Sequence, residues 1–150
     1  MFCYQCEQTA KGAHCVKIGV CGKTSEVAAL QDLLLHTVKG LSLCALEARE
    51  AGVSARQADR FACEAIFSTL TNVDFDPERF IKLISETVQM REELKEKIRA
   101  AGGKADWTEG PAVFQPAQGL EGLVEQGEQV GVKSDPNANP DIVSLKELLT

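Results

Sequence analysis

An all-α fold is what this sequence predicts: a three-helix bundle preceded by a cysteine-rich loop and followed by the start of a second helical bundle. Three observations point to it. Apolar residues recur at spacings of three and four over most of residues 24–101, the period of a helix with one buried face. The connections between these stretches are short, which implies antiparallel neighbours. Aromatics are scarce, at one Trp, one Tyr and six Phe, as suits an aliphatic helical core.

The first helix starts at Thr24 or Ser25, both good N-caps, with Glu26 in its first turn. Leu30, Leu33, Leu34, Val38, Leu41, Ala45 and Ala48 form its apolar stripe, and Asp32, Lys39, Glu47, Arg49 and Glu50 take the other side. Gly52 closes it after Ala51. At 1.5 Å per residue it is roughly 39 Å long, a spine for the loop before it. Ser54 is the expected cap of a second helix over about Ala55–Asn72, with Phe61, Ala65, Ile66 and Leu70 facing inward. Asp76-Pro77 is a strong helix start, N-cap then N1. The third helix runs from there to about Ala101, lined by Phe80, Leu83, Ile84, Val88, Leu94 and Ile98, and stops at Gly102-Gly103.

Residues 102–139 read as an irregular linker. They contain Gly102, Gly103, Gly110, Gly119, Gly122, Gly127 and Gly131 with Pro111, Pro116 and Pro136. One short helix fits around Leu120–Val130. Asn139-Pro140-Asp141 then starts another helix over residues 140–150 that ends without a cap. Its Ile142–Leu149 stretch matches Val27–Leu34 at three leucines, the trace of a repeat. The expectation is a second bundle broken off about two turns into its first helix.

The remaining stretch, residues 1–23, carries Cys3, Cys6, Cys15 and Cys21 in the pattern C-x2-C-x8-C-x5-C. Thiolates are soft ligands for iron–sulfur clusters, zinc and Cu(I). The x2 pair reaches one metal or cluster from a single turn, and the other two arrive by folding the chain back. Gly12, Gly19 and Gly22 allow that wrapping and bring backbone N–H groups close to an anionic cluster. An iron–sulfur cluster on four thiolates is the leading reading. Structural zinc is the second, disfavoured because four-cysteine zinc sites usually pair two C-x2-C knuckles. A disulfide framework, or reduced cysteines without metal, is the third. It requires an oxidising compartment or no ligand role, and no basic n-region with an apolar h-region precedes Cys3.

These residues also carry a resemblance. Met1-Phe2-Cys3-Tyr4-Gln5-Cys6-Glu7-Gln8-Thr9-Ala10, Gly12-Ala13-His14-Cys15 and Gly19-Val20-Cys21-Gly22-Lys23 look like the N-terminus of the hybrid cluster proteins. These are also called prismane proteins or hydroxylamine reductases. Leu30-Gln31-Asp32-Leu33-Leu34, Lys39-Gly40, Ile66-Phe67-Ser68-Thr69-Leu70-Thr71-Asn72 and Ser144-Leu145-Lys146-Glu147-Leu148-Leu149 fit the same family. The resemblance is dense over residues 1–90 and thin over 100–135. In that family the x8/x5 spacing goes with a [4Fe–4S] cubane and a longer-spaced variant with [2Fe–2S]. The resemblance implies two helical bundles in tandem followed by two α/β domains. It implies reduction of hydroxylamine to ammonia, with nitric oxide reduction also attributed, at a hybrid iron–sulfur–oxygen cluster held by the later domains. On this reading the chain is an electron-transfer module, inactive alone, served by an electron donor protein or reductase. Four thiolates saturate a cluster's protein ligation, which favours electron transfer over substrate binding. The alternatives are a structural zinc or protein-interaction module and a free-standing ferredoxin-like carrier. The uncapped helix at Leu149-Thr150 speaks against the carrier, since a complete domain closes its own core.

The net charge of −6 argues against a nucleic-acid partner. Within residues 1–23, however, Lys11, Lys17 and Lys23 face Glu7 alone, either a basic collar for an anionic cluster or three solvated lysines. No apolar run reaches the ~18 residues of a membrane span, so the expectation is a soluble cytoplasmic protein. Cys44 and Cys63, on the first and second helices, read as buried structural thiols. His14, beside Cys15, is placed either to donate its N–H to a cluster sulfur or to replace a thiolate as ligand, and His36 lies on the flank of the first helix. Phe2 and Tyr4 would shield the cluster from water. No P-loop, dinucleotide fingerprint or nucleophile–base motif is present.

Overall fold

The computed structural model describes residues 3, 5, 6, 14–70, 72–131, 137–139, 141, 142 and 145. The fold is all-α. Its helices are α1 (Ser25–Glu50), α2 (Arg56–Ser68), α3 (Pro77–Ala100) and α4 (Gly119–Val130). No strand occurs among the described residues. One isolated antiparallel bridge pairs Cys3 with Cys15.

The caps expected for α1 and α3 are in place. Thr24 accepts from the Val27 N–H at 3.2 Å, and Asp76 accepts from the Glu78 N–H at 3.0 Å with Pro77 as the first helical residue. Beyond the last turns, Gly52 and Gly102 sit at φ 71° and 79°, the left-handed conformation that closes a helix without Cβ strain.

α1 is the centre of the molecule, touching α2, α3 and α4. Its expected stripe is buried, and so are Ala28, Ala29, Gln31, Thr37, Gly40 and Cys44 on other faces. A helix covered nearly all round needs partners on every side, and three helices alone do not supply them. The fourth is α4. Residues 102–139, read from sequence as a linker, pack onto α1 over much of their length. Leu123 joins Val27, Leu30, Leu33 and Leu34 in the core, with Phe114 against the same cluster. Gly127 meets the α1 backbone directly: a Cβ there would lie 2.1 Å from the Ala29 carbonyl oxygen. Gly40 repeats the device, since its Cβ would lie 2.2 Å from the Pro111 carbonyl oxygen. Gly127, read from sequence as part of an irregular linker, is a contact point.

Gly127→Ala is therefore expected to lift α4 off α1 and destabilise the fold by about 1–3 kcal/mol, the usual range for overpacking. Urea unfolding followed by circular dichroism measures it; an unchanged midpoint would contradict the close approach.

α2 departs from expectation at both ends. Its N-cap is Ala55, without a side-chain cap bond, rather than Ser54. It ends at Ser68, not Asn72. The Ser68 and Thr69 hydroxyls donate to Ala65 O at 2.7 Å and Ile66 O at 2.8 Å, competing for the carbonyls that would extend the helix. Asn72 at φ 63° then turns the chain. The buried face is also rotated: Ala58, Ala65 and Ser68 are buried, with Phe61 and Ala62 packed on the core. Ile66, Phe67 and Leu70 are exposed.

On α3 the core face includes Phe80, Ile84, Leu94 and Ile98 as expected. It also includes Thr87, Arg91 and Lys95. Arg91 Nη1 donates to Pro111 O at 3.0 Å and its Nε to Glu92 Oε1 at 2.8 Å. Nη2 lies 2.7 Å from the same oxygen but makes no well-directed hydrogen bond. Lys95 Nζ donates to both Glu92 oxygens, at 3.0 and 3.3 Å. Burial alone would raise the Glu92 carboxyl, but the hydrogen bonds and charges of Lys95 and Arg91 outweigh it and hold the group below its ordinary range.

At the far end, Asp141, Ile142 and Leu145 have helical backbone. The Asp141 N–H donates to Asn139 Oδ1 at 2.8 Å. The rest of the stretch expected to open a second bundle lies outside the described residues. None of the described helices is long and apolar enough to cross a membrane.

Candidate metal centre

The cysteine loop is joined directly to the spine. Lys23 is followed by Thr24, the N-cap of α1, so the loop is anchored where the helix begins. Two backbone hydrogen bonds tie its arms together: Cys3 N to Cys15 O at 3.1 Å and Cys15 N to Cys3 O at 3.0 Å. The pairing brings the C-x2-C arm against the C-x5-C arm. Cys15 is buried at 5% exposure, while Cys3, Cys6 and Cys21 are half-buried.

Cys21 rides on a tight turn. The Gly22 N–H donates to Gly19 O at 2.9 Å, and the Gly19 N–H donates to Lys23 O at 2.7 Å. Gly22 takes φ 93°, which favours glycine. Gly19 is tightly packed: a Cβ would stand 3.0 Å from Cys21 Sγ and 3.1 Å from Lys23 Cβ, so both would have to give by a few tenths of an ångström. Two of the three glycines expected to shape the loop thus have defined tasks. Gly12 lies outside the described residues, as do Phe2, Tyr4 and Lys11.

The basic collar divides. Lys17 is exposed. Lys23 is not on the surface at all, at 1% exposure. Its ammonium donates to Gln5 Oε1 at 2.8 Å and reaches Cys3 Sγ at 4.0 Å. A buried ammonium requires a compensating partner, and the Cys3 sulfur would supply it when ionised as a metal ligand. The sequence signal was its place between Cys21 and the helix cap.

The six cysteines, all among the described residues, show no disulfide. Likewise among the described residues, no three His, Cys, Asp or Glu side chains are grouped closely enough to share one metal ion. The loop offers four soft donors around a glycine-lined turn and a buried positive charge, a set chemically suited to a thiolate-bound metal group.

The two helical cysteines differ from each other. Cys44 is fully buried as expected. Burial pushes its thiol up to about 11, against the opposing pull of Lys95 and Arg91. Cys63, also expected to be buried, is exposed, because the inward face of α2 is rotated. Beside it a cavity of about 690 Å³ is lined by Cys63, Phe67, Val73 and Arg79. With iodoacetamide at pH 8, Cys63 is expected to alkylate in the native chain and Cys44 only after denaturation. The raised pKa alone lowers the Cys44 thiolate fraction about a hundredfold. Peptide mapping by mass spectrometry reads both sites, and equal rates would refute the assignment.

His36 packs edge-on against Phe114, with centroids 5.1 Å apart. Burial first, then Lys39 and Arg91, hold its imidazole below the ordinary value. It stays neutral near pH 7 and serves packing. His14 is half-buried beside Cys15.

Comparison with known proteins identifies the family. A family model described as the Prismane/CO dehydrogenase family matches residues 1–150. A hydroxylamine reductase of Syntrophobacter fumaroxidans is 61% identical over 99% of this chain and 28% of its own length. Those of Methanocella arvoryzae and Solidesulfovibrio magneticus are 52% and 50% identical, each over 99% of this chain and 27% of its own. The chain spans little more than a quarter of the length of these curated relatives.

Proposed function

Taking as premise that the chain belongs to the Prismane/CO dehydrogenase family, we propose that it is the N-terminal electron-transfer module of a hydroxylamine reductase. Cys3, Cys6, Cys15 and Cys21 hold one iron–sulfur cluster, [4Fe–4S] in preference to [2Fe–2S]. The observation that carries this reading is the Cys3–Cys15 backbone pairing, which joins the two arms of the cysteine pattern on one loop. The relatives' printed name, hydroxylamine reductase, supports the reaction. When bound, the cluster supplies a one-electron relay. The chain's own residues hold it, with Gly19 leaving space beside Cys21 and Lys23 giving positive charge beside Cys3.

In the intact protein, this module would relay electrons from a donor protein to a hybrid iron–sulfur–oxygen cluster held by the remaining domains. There hydroxylamine, two electrons and two protons become ammonia and water, or nitric oxide is reduced. The reading places the protein in the cytoplasm, where thiols stay reduced.

The test is iron, zinc and acid-labile sulfide per chain after anaerobic purification, with EPR of the dithionite-reduced sample. About four iron and four sulfide with a paramagnetic reduced state support the cubane. Two and two keep the role and change the cluster. Zinc without sulfide would replace the reading with a structural module. The 150-residue chain, assayed with reduced viologen and hydroxylamine, is expected to show no turnover. Measurable ammonia formation would place the reaction within these residues.

A further inference from the structure

Lys23 has a property that cluster ligation does not require. It is 1% exposed, so its charge is not a solvated collar. Its ammonium is held by Gln5 Oε1 at 2.8 Å, with Cys3 Sγ at 4.0 Å. Its backbone is fixed as well. The carbonyl accepts from the Gly19 N–H at 2.7 Å, and Thr24, the next residue, caps α1. A neutral amide does not offset a buried cation; an anionic thiolate does.

We propose that Lys23 is a positioning residue that sets the reduction potential of the group held by the cysteine loop, through a fixed positive charge against Cys3. This rests on the reading of the four cysteines as cluster ligands. One-electron reduction adds one negative charge to the thiolate-bound group. A cation already oriented beside a ligand sulfur stabilises the reduced form more than the oxidised form, and raises the potential. Because the ammonium is buried, salt does not screen it as it screens the exposed Lys17. Held by Gln5 and by the Gly19–Lys23 turn, it needs no reorientation when the electron arrives.

The experiment loads the whole 150-residue chain anaerobically with ferrous iron and sulfide. Metal and sulfide are counted, then the midpoint is titrated by EPR for the wild type, Lys23→Met, Lys23→Arg and Lys17→Met. Lys23→Met is expected to load fully and to shift its reduction equilibrium at least tenfold toward the oxidised form, about 59 mV for a one-electron couple. Lys23→Arg and Lys17→Met are expected to stay near the wild type. An unchanged midpoint in loaded Lys23→Met overturns the proposal. So does an equal shift in Lys23→Arg, which would make shape the cause, or in Lys17→Met, which would make burial irrelevant. If Lys23→Met fails to load while Lys23→Arg loads, Lys23 serves assembly and the proposal also falls. A wild-type chain that takes up no iron and sulfide refutes the cluster reading itself, before any variant is compared.

Discussion

Cys15→Ser is expected to remove bound iron and sulfide from the chain while leaving the helices folded. Cys15 is the buried member of the loop, and its backbone pairs with Cys3. Serine keeps the backbone and nearly the volume but replaces a soft thiolate with a hydroxyl that does not ionise near neutral pH. Loss of an outer-shell partner alone typically weakens metal binding 10- to 100-fold. Loss of a ligand should therefore lower iron content by at least about tenfold under dilute conditions. The helices should survive because both core clusters are built from residues between Val27 and Leu123, with the partly buried Val124 and Val130 beside them. Iron analysis with far-ultraviolet circular dichroism gives both readouts, and Cys63→Ser is the control. Full iron in the Cys15 variant would exclude that residue as a ligand.

Arg91→Met is expected to give the largest loss of stability. Arg91 is fully buried and joins three things: Pro111 O of the segment that packs on Gly40, the Glu92 carboxylate, and through it Lys95. Methionine fills the space but leaves Pro111 O without this donor. Breaking a fully buried ion pair costs about 3–5 kcal/mol. Glu92 is 44% exposed, so the expected loss is smaller, about 2–4 kcal/mol. Urea unfolding measures it. A loss below about 1 kcal/mol, the range of surface pairs, would show that the cluster acts as a surface pair. The same group predicts acid sensitivity. The Glu92 carboxyl is depressed in the folded state. Its contribution is present above the ordinary carboxylate range and is lost as pH falls through the folded value, leaving Arg91 and Lys95 buried without their anion.

What the sequence made legible follows from local chemistry. Asp76-Pro77, Thr24 and Gly52 act within one turn of themselves, and each does in the structure what its type implies. Of the cysteine pattern, the structure shows the folding back of the chain that pairs Cys3 with Cys15. Features decided by partners far along the chain were not legible. Ser68 and Thr69 end α2 by back-bonding that a helical residue of either type can make or forgo. Gly127 looks like a breaker, and Gly40 carries no signal of contact, until a facing backbone is present to need their missing Cβ. Arg91 and Lys95, which drew no reading from the sequence, are buried because Glu92 and Pro111 meet them. Lys23 read as a loop charge because nothing local says that Gln5 folds over it. Cys63 was misplaced because the α2 stripe, read from Ile66 and Leu70, turns outward by part of a helical turn.

The central place of α1 bears on the order of events during synthesis. The cysteine loop and the spine leave the ribosome before the helices that cover them: α1 gains α3 only after about residue 100 has emerged and α4 only after Val130. Until then Ala29 and its neighbours have no Gly127 to cover them, and the cysteine loop hangs from a helix without its full set of partners. The growing chain thus presents first an apolar helix without its full cover, and only later a loop anchored on a settled spine.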